Sequence, residues 1–282
     1  MNSPIISVVL PVFNCEKYIE KAITSVLEQS FLDFELIIIN DGSTDSSEDK
    51  ILSFTDKRIR YIKQSNKGIS ATLNYGISIS SGRYIARMDA DDICMPDRFE
   101  LQLKLFDRDS TLGIVSSNVK YIDESGNSLG LSLSFTKDNL IKKAMKKGNV
   151  VFHPTVMFKK RIFESVNGYD EIIGCYFEDY LLWLEMLKIT NIAVVRKPLL
   201  QYRILPNSLS RSKPVGIGEV ESKVANVGGY YVKLYEDFKN ALNTEKITNN
   251  RDTRIWFSQR IEDLPALPPP PLGQLDDIYS AK

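Results

Sequence analysis

The chain has very little histidine and no net charge. One histidine, His153, and three cysteines, Cys15, Cys94 and Cys175, stand among 282 residues. The cysteines lack metal-ligand spacing, and a single imidazole leaves little to activate a nucleophilic thiol. We read the three as reduced thiols of a cytosolic protein. Lys and Arg number 36, as do Asp and Glu, for a formal net charge of +0. The broad basic surface that nucleic acid requires is therefore not expected. No apolar run reaches the roughly 18 residues of a membrane span. The first residues pass directly into a strand pattern, without the regions of a signal peptide, so the expected location is cytoplasmic. With 43% hydrophobic residues, the chain can bury a full core.

What is present is an unusual acidic run, Arg87-Met88-Asp89-Ala90-Asp91-Asp92, straight after the strand-like Arg83-Tyr84-Ile85-Ala86. Like charges this close destabilise one another unless water, an arginine or a cation lies among them. An Asp-x-Asp pair at a strand end offers hard oxygen ligands suited to Mn²⁺ or Mg²⁺, and such a metal can bridge to a substrate's phosphates. Taken alone, the run also fits a solvated acidic turn.

Its neighbours favour a site. Ile5 to Leu10 reads as a buried strand that Pro11 ends. Asn14 is placed to cap a helix from Glu16 to Gln29. Glu35 to Ile39, Ile59 to Ile62 and Tyr84 to Met88 read as further strands, and Ile69 to Ser80 as a helix. Strands alternating with helices imply an α/β fold with a parallel sheet. Ligands then bind beyond the strands' carboxyl ends. Pro11-Val12-Phe13-Asn14, Asp41-Gly42-Ser43, Asn66-Lys67-Gly68 and Asp89-Ala90-Asp91 all fall at such ends, and are expected on one rim.

In this order, these segments resemble the family-two inverting glycosyltransferases of the bacterial polysaccharide kind. The resemblance rests on Val9 to Asn14, Asn40 to Asp45, Asn66-Lys67-Gly68 with Asn74, and Arg87 to Asp92. It continues through Pro96-Asp97-Arg98, Gly168-Tyr169-Asp170 and Glu178-Asp179-Tyr180 ahead of Leu182-Trp183, and spans about residues 4 to 210. It implies a GT-A fold: a Rossmann-like, mostly parallel central sheet flanked by helices, with a smaller acceptor-side subdomain and a C-terminal extension. The division it suggests is 1–213 for the catalytic domain, split into a nucleotide-sugar half (1–98) and an acceptor-side half (99–213). A helical extension (214–263) and a proline-rich tail (264–282) follow.

The resemblance also implies roles. Asp41 would accept the uracil N3–H of a UDP-sugar, with the backbone around Pro11, Val12 and Asn14 beside the base. Asp89 and Ala90 would lie at the ribose and diphosphate, with Lys67 and Arg87 assisting at phosphate or acidic partners. Asp91, helped by Asp89, would ligate Mn²⁺ or Mg²⁺, and Asp92 is an alternative contact. Asp179 would be the base that deprotonates a hydroxyl of a glycan or lipid-linked acceptor, with Glu178 the alternative and Asp170 the next candidate. The bland reading of Glu178 and Asp179 is that acids favour a helix N-terminus. Relatives often carry histidine where this chain has Leu205, so no metal or phosphate contact is expected there.

In the second half, a helix is expected from Pro96 to Asp107, and strands at Ile114 to Val119 and near Tyr121. A hairpin to Leu129–Leu133, a strand from Asn149 to Phe158, and strands at Ile192 to Val195 and Leu199 to Ile204 complete the pattern. Lys142, Lys143, Lys146 and Lys147 read as a solvated helix face or a contact for an anionic lipid-linked acceptor, which would bring the protein to the inner face of the membrane. Two other readings fit a nucleotide-binding α/β domain. One is a sugar nucleotidyltransferase, although Pro11-Val12-Phe13-Asn14 is not its Gly-rich phosphate loop. The other is a non-catalytic carbohydrate-binding relative, which the intact acids disfavour.

Overall fold

The computed structural model describes residues 3–132, 134–145, 149–171 and 178–205. Cys175, Lys146, Lys147, the expected helical extension and the proline-rich tail lie outside them. The elements run β1 (Ile6–Val12), α1 (Ile19–Leu27), β2 (Phe34–Asp41), α2 (Ser47–Leu52), β3 (Ile59–Gln64), α3 (Ile69–Ser78), β4 (Tyr84–Arg87), β5 (Ile93–Cys94) and α4 (Arg98–Arg108). They continue with β6 (Leu112–Ile122), β7 (Ser128–Leu131), α5 (Asp138–Met145), a 3-10 turn (His153–Thr155), β8 (Met157–Lys159), α6 (Lys160–Ser165), α7 (Glu178–Leu187) and β9 (Asn191–Arg203).

One nine-stranded sheet has the order β3-β2-β1-β4-β8-β6-β9-β5, with β7 paired to β6. Its first four strands are all parallel. They are short apolar runs with both faces covered, as parallel strands must be. The helices divide the core in two. Ile19, Ile23 and Val26 of α1 pack with Phe99 and Phe106 of α4 against one face. Leu73 and Ile77 of α3, Ile141 of α5 and Trp183 of α7 pack against the other. Strand β8 enters antiparallel between β4 and β6, so the sheet is mixed beyond the acidic run.

Several expected boundaries move. Pro11 lies inside β1, opposite Ile39, rather than ending it. Strand β4 pairs with β1 only as far as Val9, so β1 is open on that side at Pro11 and tolerates the missing N–H. Asn14 does not cap α1, which begins after Tyr18 without a side-chain cap. Asn14 instead adopts φ 48°, which asparagine tolerates. Its Oδ1 accepts the Thr44 N–H at 2.8 Å, joining the first two loops. The strand expected over Asn149 to Phe158 winds into a 3-10 turn at His153–Thr155, because Pro154 has no N–H for a ladder. Strands β6 and β9 each join what the sequence splits in two, bridging register shifts in their pairing. The Lys142 amine is not simply solvated; it reaches Asn191 Oδ1 at 2.8 Å and Asp138 at 3.2 Å.

Candidate active site

The C-terminal ends of β1 to β4 do converge. Asp41, only 5% exposed, is the centre of the first cluster. Its Oδ1 accepts from Gln64 Nε2 at 2.7 Å and from the Lys67 N–H at 2.8 Å. Its Oδ2 accepts the Gly68 N–H at 3.0 Å. This carboxylate therefore ties the β3–α3 loop to the end of β2. A carboxylate has about four acceptor positions, and donors among the described residues fill three of them. Gly42 makes the loop's close approach possible. At φ 78° it sits in left-handed space, and a Cβ there would lie 2.8 Å from the Asn66 nitrogen. On the other side, Asn14 donates its N–H to Ser43 Oγ at 3.0 Å. Val12 is 1% exposed, whereas the Lys67 side chain is exposed.

The acidic run forms a second cluster. Carboxylate oxygens of Asp89, Asp91 and Asp92 all lie within 4.8 Å of one another. Arg87 pairs with Asp89; its side chain is 6% exposed against 30% for the aspartate, so the ion pair is buried at its positive end. Burial works against the Arg87 charge, but Asp89, Tyr169 and Glu178 hold its pKa above the ordinary value. Asp91 is pushed up to about 7, first by burial and then by the Asp89 charge. Asp92 is raised well above its ordinary value by burial, then by Asp91 and Asp89. Its Oδ1 accepts the Arg203 N–H at 2.8 Å, while its buried Oδ2 has no hydrogen-bond partner. Arg203 Nε also donates to the Asp91 carbonyl at 2.8 Å, so the end of β9 braces the run. Beneath it, Arg98 is fully buried and donates to the carbonyls of Arg87 (2.8 Å) and Val156 (3.3 Å).

Three clustered carboxylates, one with an unsatisfied buried oxygen, form an all-oxygen donor set. Such a set fits a hard divalent cation, which would also remove the repulsion that raises these pKa values. Ala90, 7% exposed, is the spacer that lets the acids on either side turn together.

The third cluster lies at the start of α7. Glu178 is 9% exposed and Asp179 is half-buried, so the pair is more enclosed than a solvated helix end. Asp179 accepts from Asn149 Nδ2 at 2.8 Å and from the Tyr180 N–H at 2.7 Å. Burial raises the Asp179 carboxyl, and these two donors oppose the rise. Glu178 is pushed up to about 8 by burial, then by the Asp179 charge. Arg87 acts on both acids, so the second and third clusters share one cation. Asp170 lies half-buried in the segment after α6, next to Tyr169.

Sequence reading missed Asn149, Tyr169 as a buried hydroxyl, and Arg203 as a brace. It weighed His153 only as an activator of a thiol. The Cys94 thiol is buried, and burial raises its pKa; burial and then the Asp91 charge raise that of Cys15. Neither is a poised nucleophile.

A parallel α/β half with an acidic run at its C-terminal edge is the nucleotide-sugar domain arrangement of GT-A glycosyltransferases. The chain belongs to the family described as Glycosyl transferase family 2, which matches residues 7–166. An uncharacterised glycosyltransferase of Methanocaldococcus jannaschii is 35% identical over 76% of this chain and 76% of its own length. The chondroitin synthase of Escherichia coli is 31% identical over 92% of this chain, but the match covers 37% of that larger protein. Among solved structures, residues 1–349 of S. aureus TarS in complex with UDP-GlcNAc superpose with TM-score 0.65 at 17% identity, covering 78% of this chain and 64% of that one. That similarity establishes the shared fold.

Proposed function

We propose that this glycosyltransferase moves a sugar from a UDP-sugar to a hydroxyl of a glycan or lipid-linked acceptor, with inversion at the anomeric carbon. The observation that carries the reading is the shared rim. Asp41, the Asp89 to Asp92 run and the Glu178–Asp179 pair are three acid clusters of different environment, and the last two are linked through Arg87.

In this reading, Asp41 presents its remaining acceptor position to the uracil N3–H, with Pro11, Val12 and Asn14 lining the base. Asp89 orients the ribose, with Ala90 beside it. Lys67 reaches towards phosphate from the β3–α3 loop, and Arg87 holds Asp89 in place. Asp91 with Asp89 would hold Mn²⁺ or Mg²⁺, and Asp92 stands next to them. When bound, the cation offsets charge on the departing diphosphate. Asp179 accepts the proton of the attacking hydroxyl; attack opposite the leaving group gives a single displacement with inversion. Its raised pKa suits that role, since a base works best near the operating pH. The relatives include enzymes named for chondroitin and hyaluronan synthesis, which supports a polysaccharide acceptor. No helix among the described residues is long and apolar enough to cross a membrane. A lipid-linked acceptor would be met at the inner membrane face.

A panel of nucleotide sugars tests this directly. The expected result is metal-dependent hydrolysis fastest for a UDP-sugar, with the released sugar first seen by NMR in the anomeric configuration opposite to the donor's. A GDP- or ADP-sugar preference would overturn the Asp41 assignment, and retention would overturn the role of Asp179. No turnover of any donor would favour a binding protein.

A further inference from the structure

Asp179 receives two hydrogen bonds, from Asn149 and from the Tyr180 N–H, whereas Glu178 accepts from no other side chain among the described residues. What faces Glu178 is the chain's one imidazole: His153 Nδ1 lies 3.8 Å from Glu178 Oε1. We propose that Glu178 is the neutral member of the acid pair, so that Asp179 alone carries the negative charge and accepts the proton, and that His153, oriented by Tyr169, is a positioning residue that faces Oε1 and leaves the Glu178 proton on Oε2. The inference rests on the transfer reading above for the proton that moves.

The geometry leads to this in steps. The His153 ring is buried, edge-on to Trp183 at 5.7 Å and beside Tyr169 at 5.6 Å. A buried ring beside a guanidinium stays neutral, and burial, then Arg87, put its pKa well below the ordinary value. Neutral imidazole has one donor nitrogen and one acceptor nitrogen. Nε2 is 2.8 Å from the Tyr169 hydroxyl. In the proposed arrangement that hydroxyl donates to Nε2. The ring proton is then on Nδ1, the nitrogen that lies 3.8 Å from Glu178 Oε1, a contact longer than a hydrogen bond.

Charge balance completes the argument. The groups facing Glu178 are Asp179 on its own helix, Arg87 and Asp89 from the end of β4, His153 from the 3-10 turn and Tyr169 from the segment after α6. One guanidinium, already paired with Asp89, does not offset the burial and mutual repulsion of Glu178 and Asp179. The two donors on Asp179 favour its charge, so the proton resides on Glu178. An Nδ1–H donor on Oε1 then leaves the protonated oxygen, Oε2, free to donate towards an acceptor.

Infrared spectroscopy of the full chain without donor sugar tests the proton directly. At pH 7, the wild type should show a protonated-carboxyl band that Glu178→Gln removes. His153→Gln, which keeps a polar group near Nε2 but none near Nδ1, should raise the pH at which that band titrates. Loss of a donor disfavours the ionised form, and the expected rise is about one unit. Tyr169→Phe, which frees the tautomer, should act in the same direction and stands in if His153→Gln fails to fold. His153→Asn restores an N–H near Nδ1 and should return the titration close to wild type. The alkaline limb of kcat/KM should follow the same series while KM for the donor stays constant, which a merely structural role would not produce. Absence of the wild-type band, or a titration unmoved in both His153→Gln and Tyr169→Phe, overturns the proposal. If the band behaves as expected while no nucleotide sugar is consumed, the transfer reading fails and the proton assignment stands.

Discussion

The two acid clusters on either side of Arg87 are built in opposite ways. Asp89, Asp91 and Asp92 are neighbours in sequence and are braced from one distant point, Arg203. Their crowding leaves a buried oxygen without a partner, as befits a place prepared for a cation. Glu178 and Asp179 are also adjacent, but their environment is assembled from Asn149, His153 and Tyr169, residues separated from them in sequence. In the proposed reading the first cluster is completed by a cation from outside the chain, and the second by the chain itself. Burial raises carboxyl pKa values in both; in the proposed reading the first takes up a cation and the second holds a proton.

The strongest way to sharpen this contrast is Asp179→Asn. Removing a positioned base costs about 10²–10⁴-fold in rate. UDP affinity, measured by calorimetry, should stay near wild type because Asp41 and the acidic run are untouched. If Asp179→Asn transfers normally and Glu178→Gln is inactive, the two acids exchange roles.

Asp91→Asn addresses the other cluster. A neutral amide is a poorer ligand for a hard cation, so Mn²⁺ should no longer enhance UDP binding, with a loss on the order of 10–100-fold in metal affinity. Unchanged enhancement in a titration of Mn²⁺ against UDP would remove Asp91 from the ligand set.

Gly42→Ala tests the loop that anchors on Asp41. The added Cβ meets backbone at 2.8 Å in left-handed space, which should cost about 1–3 kcal/mol of stability. An unchanged denaturation midpoint would show that the loop yields freely.

The smallest effect expected is on pH dependence. Asp91 at about 7 and Glu178 at about 8 lie above their unfolded values near 4. Between pH 4 and 8 the folded state therefore binds more protons than the unfolded one. The stability these groups contribute is present below pH 4 and is lost as pH rises through 7 to 8. In metal-free buffer, the melting temperature should fall from pH 5.5 to 8, and Glu178→Gln should flatten that fall. Saturating Mn²⁺ should remove the part due to Asp91 only, separating the two clusters in one experiment. A melting temperature that rises over this range would contradict the assigned shifts.

The sequence shows the donor half clearly because its signals are local. Each apolar run is long enough to mark a strand, and each strand ends in a polar loop whose residues act within a few positions of one another. The loops of that half also meet one another, Asn14 with Thr44 and Asp41 with Lys67 and Gly68. Elements too short for a period, α2 and β5, leave no such mark. Pro11 and Asn14 were misread for a related reason: the open side of β1 and the loop that Asn14 joins are set by other strands.

By itself, then, the sequence determined the α/β alternation, the family-like order of motifs and the positions of the acids. Those follow from residue type, spacing and hydrophobic periodicity, which are properties of neighbours along the chain. Tertiary structure alone decided that Arg87 would serve two acid clusters, that Arg203 would brace the acidic run, and that Tyr169 and His153 would face Glu178. Ionisation depends on burial and on charges a few ångströms away, and in this protein those charges come from segments far apart in sequence, brought together by β8 entering antiparallel between β4 and β6.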